Sequence, residues 1–462
     1  PPGRTSNSLA LAALGALFVV LVFGFTLRYQ AYARSVVPLY PHGDAARYFL
    51  YAYNLKNFGV YGYGKMNLLP ADTDEEVARQ QIEPDALITP GYPLYLSFFL
   101  GGDYSKEQSD RALLGQVFLS SLTILLAYAA FSPFGRLYGV GVAGLTALSP
   151  HLVNMNLFLL TETLFGFLLM AFVWILSRVN AKSRLPLFLL VGLLLAMATL
   201  TRPWIQAYLF VILGYLLLSK LRFTMRQTIF VFIGAAIVTT PWLVRNTLMS
   251  GNAADPSQLI KSIHHGMYPD MMYEEQEETL GYAYNADPMA PQLEQSLGVT
   301  LAEIARRAKA EPRKYANWYL VGKIRSVLSW EIIAGADAIF VYHVEGSPYF
   351  EIPRFYLSAY YMEKFHGILM LLAITGALVV WLPRKLQRRS ADSIFFLRAV
   401  SLLIVYFLLM HMVVAPYPRY SIPMRPVLYA MALYPILLVL RISGIPEKFE
   451  NKVRIALSRK RG

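Results

Sequence analysis

Two charged residues shortly after the first apolar segment have a spacing that lets both side chains face one site. Asp44 and Arg47 are three positions apart within residues 43–48, so both side chains can lie on one side of a helix. A carboxylate can accept a proton from an attacking hydroxyl, and the guanidinium fork matches phosphate oxygens. Asp44 could instead serve only as the N-terminal cap of the following helix.

Other charged residues stand next to apolar segments. Glu162 begins one of these segments, where a carboxylate is costly unless it is paired or functional. Arg202, Arg245 and Arg419 lie at segment ends, and Lys65 lies in the loop after the first segment. These four cations have side chains that can bind an anionic group. The alternative for each arginine is that it only extends from the bilayer edge into water.

Metal binding has less support in the sequence. Asp72 and Asp74 form an Asp-Thr-Asp stretch, but acidic loops of this kind are usually solvated. His42, His264 and His265 lack further ligands at a recognisable spacing, so external polar contacts are favoured for them. We therefore predict no metal ligands and leave open whether a divalent metal acts as cofactor. Cysteine is absent, which excludes thiolate ligands, disulfides and a cysteine nucleophile.

The elements that must position these residues are membrane helices. Hydrophobic residues make up 56% of the 462 residues and charged residues only 15%, compared with about 25% charged residues in soluble domains. This composition excludes a soluble or disordered chain. It predicts an all-α polytopic membrane protein with about ten transmembrane helices, since a span needs about 17–25 residues. The apolar runs are 9–27, 112–131, 137–153, 157–177, 185–200, 203–219, 228–248, 366–382, 394–415 and 424–441.

The basic residues predict the orientation of these spans. Short basic connections near 178–184, 220–226 and 384–389 and the tail after 441 belong in the cytoplasm, together with both termini. The net charge of +13 is then a topology signal with anionic-lipid contacts, so no nucleic-acid partner is implied.

Two long loops, 28–111 and 249–365, fall on the opposite face. In the first loop, residues 45–57 and 89–100 are predicted to form helices at the membrane interface. We expect a transmembrane catalytic half (1–248, with the first loop), a large external loop region (249–365) and a C-terminal part with a basic tail (366–462).

Six short motifs in chain order resemble the GT-C glycosyltransferases. The similarity is to the bacterial branch related to protein O-mannosyltransferases and to the aminoarabinose transferase of lipid A. The motifs lie at residues 43–48, 89–94, 160–164, 201–203, 241–246 and 418–423.

The resemblance implies transfer of a sugar from a polyprenyl-phosphate carrier to an acceptor hydroxyl on the non-cytoplasmic face. It implies that Asp44 is the catalytic base and that Glu162 supports the site. A single attack assisted by one base would invert the anomeric centre. Donor phosphate contacts are then expected from Arg47 and from the four cations named above. The implied partners are the lipid-linked donor, a glycan, lipid or protein acceptor, and membrane lipids. The implied location is the bacterial inner membrane, with the site on the periplasmic face.

Three other functions fit parts of the pattern. A flippase or transporter for lipid-linked sugars would need a polar path through the bilayer, and the spans contain few ionisable residues. An O-antigen ligase or polymerase shares the large external loop but would lack an acidic residue directly after the first span. A sensor or scaffold could use the basic, helix-like stretch at 299–330 to bind partners.

Overall fold

The structure is a computed structural model that describes residues 3–37, 43–63, 82–101, 106–219, 223–333, 338–387 and 389–443. Helices make up 77% of it. In these ranges the β-structure amounts to a single bridge between Val36 and Gly346. The predicted all-α membrane fold is therefore confirmed.

Fourteen α-helices of at least seven residues lie in the described ranges. In chain order they are α1 Gly3–Arg34, α2 Asp44–Phe58, α3 Gly91–Ser97, α4 Lys106–Phe131, α5 Arg136–Leu148, α6 Thr161–Leu176, α7 Leu185–Thr201, α8 Tyr208–Leu218, α9 Met225–Ser250, α10 Ser257–His265, α11 Leu297–Ala310, α12 Pro353–Val379, α13 Ala391–Val413 and α14 Arg425–Ile442.

Shorter helical segments connect these helices. The α-helical ones are Pro150–Asn154, Ala283–Ala286, Ala290–Leu293, Pro312–Asn317, Lys323–Val327, Pro348–Glu351 and Arg384–Gln387. A π-helical turn lies at Trp318–Gly322, and a 3-10 helix at Pro418–Met424 leads into α14.

The apolar helices coincide in position with the predicted spans. Six of them have the length and apolar composition needed to cross a membrane: α1, α4, α9, α12, α13 and the continuous Pro418–Ile442 segment. Four shorter apolar helices, α5, α6, α7 and Pro203–Leu218, lie at the remaining predicted positions. The count of ten spans stays a prediction. The helices predicted in the first external loop are present as α2 and α3.

The eighth predicted span begins earlier than its apolar run suggested. The run starts at residue 366, whereas α12 begins at Pro353. A proline is well suited to the first helical position because its missing N–H would be unpaired there in any case. The added turns carry exposed Tyr356, Tyr360 and Tyr361, so hydropathy alone did not assign them to the span.

Helices α6 and α14 lie at the centre of the packing. Almost every residue of α6 is buried, and so is nearly the whole first half of α14. Both contribute to the largest hydrophobic cluster, which also includes residues of α4, α7, α8 and α13. The residues at the N-terminal ends of α6 and α14 are therefore held inside the protein.

Helix α12 approaches α14 closely at a glycine. A Cβ atom built on Gly376 would lie 1.9 Å from the carbonyl oxygen of Met431, which is far inside van der Waals contact. Only a hydrogen at this position lets the two backbones meet, as is common between membrane helices.

We predict that Gly376→Ala lowers the stability of the protein in detergent. Overpacking typically costs about 1–3 kcal/mol, which outweighs the gain of about 1 kcal/mol from alanine's higher helix propensity. The measurement is the midpoint of thermal unfolding. The matched control is Gly367→Ala in the same helix, where a Cβ would meet no atom within 4 Å. Equal midpoints for both variants would contradict the close approach of α12 and α14.

Candidate functional site

Four charged side chains from distant parts of the chain meet at one end of the helical bundle. Glu162 Oε1 lies 2.8 Å from Arg202 Nη1 and 3.9 Å from Arg419 Nε. Arg419 Nη2 also donates a hydrogen bond to Asp44 Oδ2. Asp44 and Glu162 lie in the first turns of α2 and α6, whereas Arg202 follows α7 and Arg419 precedes α14. These four helix ends therefore lie on the same side of the bundle.

Asp44 is the first residue of α2, and its side chain does not cap the helix. The residue at the N-cap position is Gly43, with φ 59° and ψ −128°, and the helix has no hydrogen bond from a capping side chain. A Cβ at Gly43 would lie 3.4 Å from the hydroxyl oxygen of Tyr342. The capping interpretation of Asp44 is therefore wrong. A carboxylate in the first helical turn still interacts favourably with the helix dipole, and here it turns toward Arg419.

Glu162 is the most deeply placed acid of the group. Its side chain is 3% exposed, against 36% for Asp44. The hydroxyl of Thr161 donates to its other oxygen at 3.3 Å. The pairing with Arg202 offsets the desolvation that makes a carboxylate costly at the start of an apolar helix.

A tyrosine that the sequence analysis did not single out lies beside both arginines. The ring centroid of Tyr420 is 4.9 Å from the guanidinium carbon of Arg202 and 5.6 Å from that of Arg419. An aromatic face stabilises such cations and fixes the plane of the guanidinium groups. The signal was present in the sequence, since Tyr420 directly follows Arg419 in the 418–423 motif.

The charges around Asp44 set its protonation state. The positive charge and hydrogen bond of Arg419 lower the pKa of Asp44 below its ordinary value, although burial acts in the opposite direction. Arg47 and Arg202 lower the pKa of this carboxyl further. Asp44 is therefore ionised at neutral pH and can accept a proton.

The structure places the remaining predicted phosphate contacts differently. Arg47 is exposed one turn along α2 from Asp44. Arg245 lies apart from the four-residue group: it donates to the carbonyl oxygens of Asp85 and Tyr61, the latter at 2.5 Å, and it packs over the ring of Trp242.

Several residues considered in the sequence analysis lie outside the described part of the chain. These residues are His42, Lys65, Asp72 and Asp74. Among the described residues, one group of three or more histidine or acidic side chains has a spacing compatible with a metal ion. It consists of His264, His265 and Glu294, none of which belongs to the Asp44 group.

Comparisons with known proteins give one family match and several similar structures. Residues 91–244 match the family described as dolichyl-phosphate-mannose-protein mannosyltransferase. No curated protein matches the chain.

The Archaeoglobus fulgidus oligosaccharyltransferase in its apo form is similar in structure, with a TM-score of 0.50 and 15% identity over 96% of this chain and 52% of that one. ArnT from Cupriavidus metallidurans bound to undecaprenyl phosphate matches with a TM-score of 0.37 and 13% identity, over 86% of this chain and 76% of that one.

The chain thus spans about half the length of the oligosaccharyltransferase, and the likeness is one of fold. The family match covers the sequence from α3 into α9, which includes Glu162 and Arg202. The resemblance of this chain to the GT-C superfamily, inferred from its motifs, is confirmed.

Proposed function

We propose that the protein is a membrane glycosyltransferase that moves a sugar from a polyprenyl-phosphate carrier to an acceptor hydroxyl. The observation that carries the proposal is the Asp44–Arg419–Glu162–Arg202 group, in which an ionised carboxylate lies against two guanidinium groups. The match of residues 91–244 to a family that is described by a lipid-phosphate sugar donor supports the choice of donor.

In the proposed reaction Asp44 is the base. Its carboxylate takes the proton of the acceptor hydroxyl while that oxygen attacks the anomeric carbon of the sugar. The bond between the anomeric carbon and the phosphate oxygen breaks, and the polyprenyl phosphate leaves with the bonding electrons. A single displacement of this kind inverts the anomeric centre.

Arg419 and Arg202 are the proposed phosphate ligands. In the donor-free protein their positive charges balance the two carboxylates of the group. A phosphate entering beside Tyr420 would compete with Asp44 for Arg419, because guanidinium groups bind phosphate with paired hydrogen bonds. Exposed Arg47 adds positive charge at the mouth of the site. Lys65 and Arg245 remain further predicted contacts to the donor.

Glu162 has the proposed role of positioning Arg202 and Arg419. It lies within 2.8 Å of one guanidinium group and 3.9 Å of the other, and it is too deeply buried to meet an acceptor directly. Its negative charge would keep both arginines in place when Arg419 releases Asp44.

We further propose that this end of the bundle faces the periplasm, with both termini in the cytoplasm of a bacterial cell, because the basic connections lie at the opposite ends of the helices.

Asp44→Asn should abolish sugar transfer, with a loss of about a hundredfold to ten-thousandfold, because the amide cannot accept the proton. Binding of the lipid-phosphate donor should be retained or tightened, since Arg419 loses an ionic competitor. The measurements are transfer from a polyprenyl-phosphate sugar and donor affinity. Asp255→Asn, in an exposed loop, is the control. Transfer by Asp44→Asn at the wild-type rate would remove Asp44 as the base.

The pH dependence should differ between free and donor-bound enzyme. Arg419 holds the pKa of Asp44 below its ordinary value in the donor-free protein. A bound phosphate draws Arg419 away and adds negative charge, which raises this pKa. The acid limb of kcat should therefore lie at higher pH than the acid limb of kcat/KM for the donor, since the former reports the complex and the latter the free enzyme. Identical limbs or the reverse order would contradict the exchange of Arg419 between Asp44 and phosphate.

Arg419→Lys should weaken donor binding while retaining the charge, because lysine lacks the planar fork. Loss of one charge-assisted hydrogen bond is worth about 1.5–3 kcal/mol, or roughly tenfold to a hundredfold in affinity. Titration of the purified protein with polyprenyl phosphate measures the change. Arg354→Lys is the matched control, because Arg354 is exposed and donates to Gln30. Unchanged affinity in Arg419→Lys would reduce Arg419 to a structural residue.

A further inference from the structure

The loop between α9 and α12 contains a compact group of two histidines and one glutamate. Glu294 Oε1 lies 3.6 Å from Nδ1 of His264 and 3.5 Å from Nε2 of His265. All three ligand atoms lie within 4.8 Å of one another. The His264 side chain is fully buried, whereas those of His265 and Glu294 are 21% and 29% exposed. The group is therefore buried on the His264 side and accessible to solvent on the side of His265 and Glu294.

A chain of hydrogen bonds fixes which nitrogen of His264 carries its proton. Asp287 accepts from Arg307 at 2.6 Å and from the hydroxyl of Tyr268 at 2.8 Å. Because the ion-paired carboxylate can only accept, Tyr268 must give its proton to Asp287. The Tyr268 oxygen, 2.7 Å from His264 Nε2, must then accept, so Nε2 carries the hydrogen of His264.

The consequence is a bare lone pair on Nδ1 of His264. This nitrogen is buried and makes no hydrogen bond, and a contact of 3.6 Å to a carboxylate oxygen is too long for one. A lone pair and a carboxylate oxygen that face each other repel, unless a positively charged group lies between them. A metal cation satisfies both atoms at once.

The distances fit a tetrahedral ion. Zinc binds imidazole nitrogen at about 2.0–2.1 Å and carboxylate oxygen at about 2.0–2.2 Å, which places ligand atoms about 3.3–3.5 Å apart in a tetrahedron. The two separations between Glu294 and the histidines, 3.5 and 3.6 Å, require only a small contraction, and the two histidine nitrogens lie within 4.8 Å of each other.

We propose that His264 Nδ1, His265 Nε2 and Glu294 Oε1 form a binding site for a divalent transition metal, with zinc as the best fit. Three protein ligands leave a fourth position for water or another group. The site is separate from the Asp44 group, and the proposal does not depend on the glycosyl transfer proposed above.

Outer contacts support each ligand in the way that metal sites require. The Tyr268–Asp287–Arg307 chain orients His264, a relay typical of ligating histidines. Lys261 Nζ lies 3.3 Å from Glu294 Oε2, which leaves Oε1 to face the imidazoles.

The His265 side chain is also held by its surroundings. The ring of His265 stacks on the ring of Tyr284, with centroids 3.5 Å apart and planes within 5°. The ring of His265 is thus oriented before any ion binds. The sequence had favoured polar contacts for these histidines because Glu294, 29 residues beyond His265, gave no sign of being a third ligand.

The test is titration of the full-length protein with Co²⁺ and Zn²⁺ after EDTA treatment and dialysis. The protein should be purified through an affinity tag without histidine. We expect one Co²⁺ per chain with the intense visible absorption of tetrahedral cobalt, displacement by Zn²⁺, and a rise in the thermal midpoint on binding. Glu294→Gln should bind at least ten times more weakly, while its amide oxygen still accepts from Lys261.

Two further variants distinguish binding at this site from nonspecific binding to other histidines. Tyr268→Phe removes the acceptor for His264 Nε2 without changing any of the three ligand side chains, so affinity should fall roughly tenfold to a hundredfold. His343→Ala removes an exposed histidine elsewhere and should bind as wild type does. Equal affinity of wild type and Glu294→Gln, or a weak octahedral cobalt spectrum, would overturn the proposal. Either result would leave a buried imidazole–carboxylate contact without metal.

Discussion

The ion pair between Asp44 and Arg419 is the contact that assembles the candidate site. Its two residues are 375 positions apart. One begins α2 and the other precedes α14. Without this contact the Asp44 carboxylate would be an ordinary surface acid at a helix start. With it, the carboxylate is ionised, oriented and placed beside a second guanidinium group, so the geometry of the site depends on how α2 is held against the end of α14.

The deeper pair of Glu162 and Arg202 makes this contact possible. A lone arginine among buried helix ends would be costly, because its charge leaves water without compensation. Glu162 approaches both guanidinium groups, and Tyr420 lies beside both as an aromatic surface. Because α6 is buried, it fixes the position of Glu162 and, through Glu162, of the two cations. More than a third of the Asp44 side chain remains exposed.

The sequence predicted the parts of this arrangement that local physics determines. Apolar runs identified the helix positions. The cost of a carboxylate in an apolar helix singled out Glu162, the spacing to Arg47 and the motif resemblance singled out Asp44, and positions at span ends singled out Arg202 and Arg419. Which arginine each carboxylate pairs with could not be predicted, because it depends on contacts between residues distant in the chain. The same limit explains why Arg245 was grouped with them, although its guanidinium binds the carbonyl oxygens of Tyr61 and Asp85. Glu294 had no local signal at all.

A row of aromatic rings joins the Asp44 group to the proposed metal site. Tyr420, beside Arg202 and Arg419, packs edge to face against Tyr417 with centroids 5.5 Å apart. The Tyr417 hydroxyl donates to the carbonyl oxygen of Gly281 at 2.8 Å, in the segment that leads to Tyr284. Tyr284 in turn stacks on His265. Aromatic contacts of this kind restrict both distance and orientation. A metal ion that fixes His265 would therefore also fix the loop surface against which Tyr420 and the two guanidinium groups are positioned.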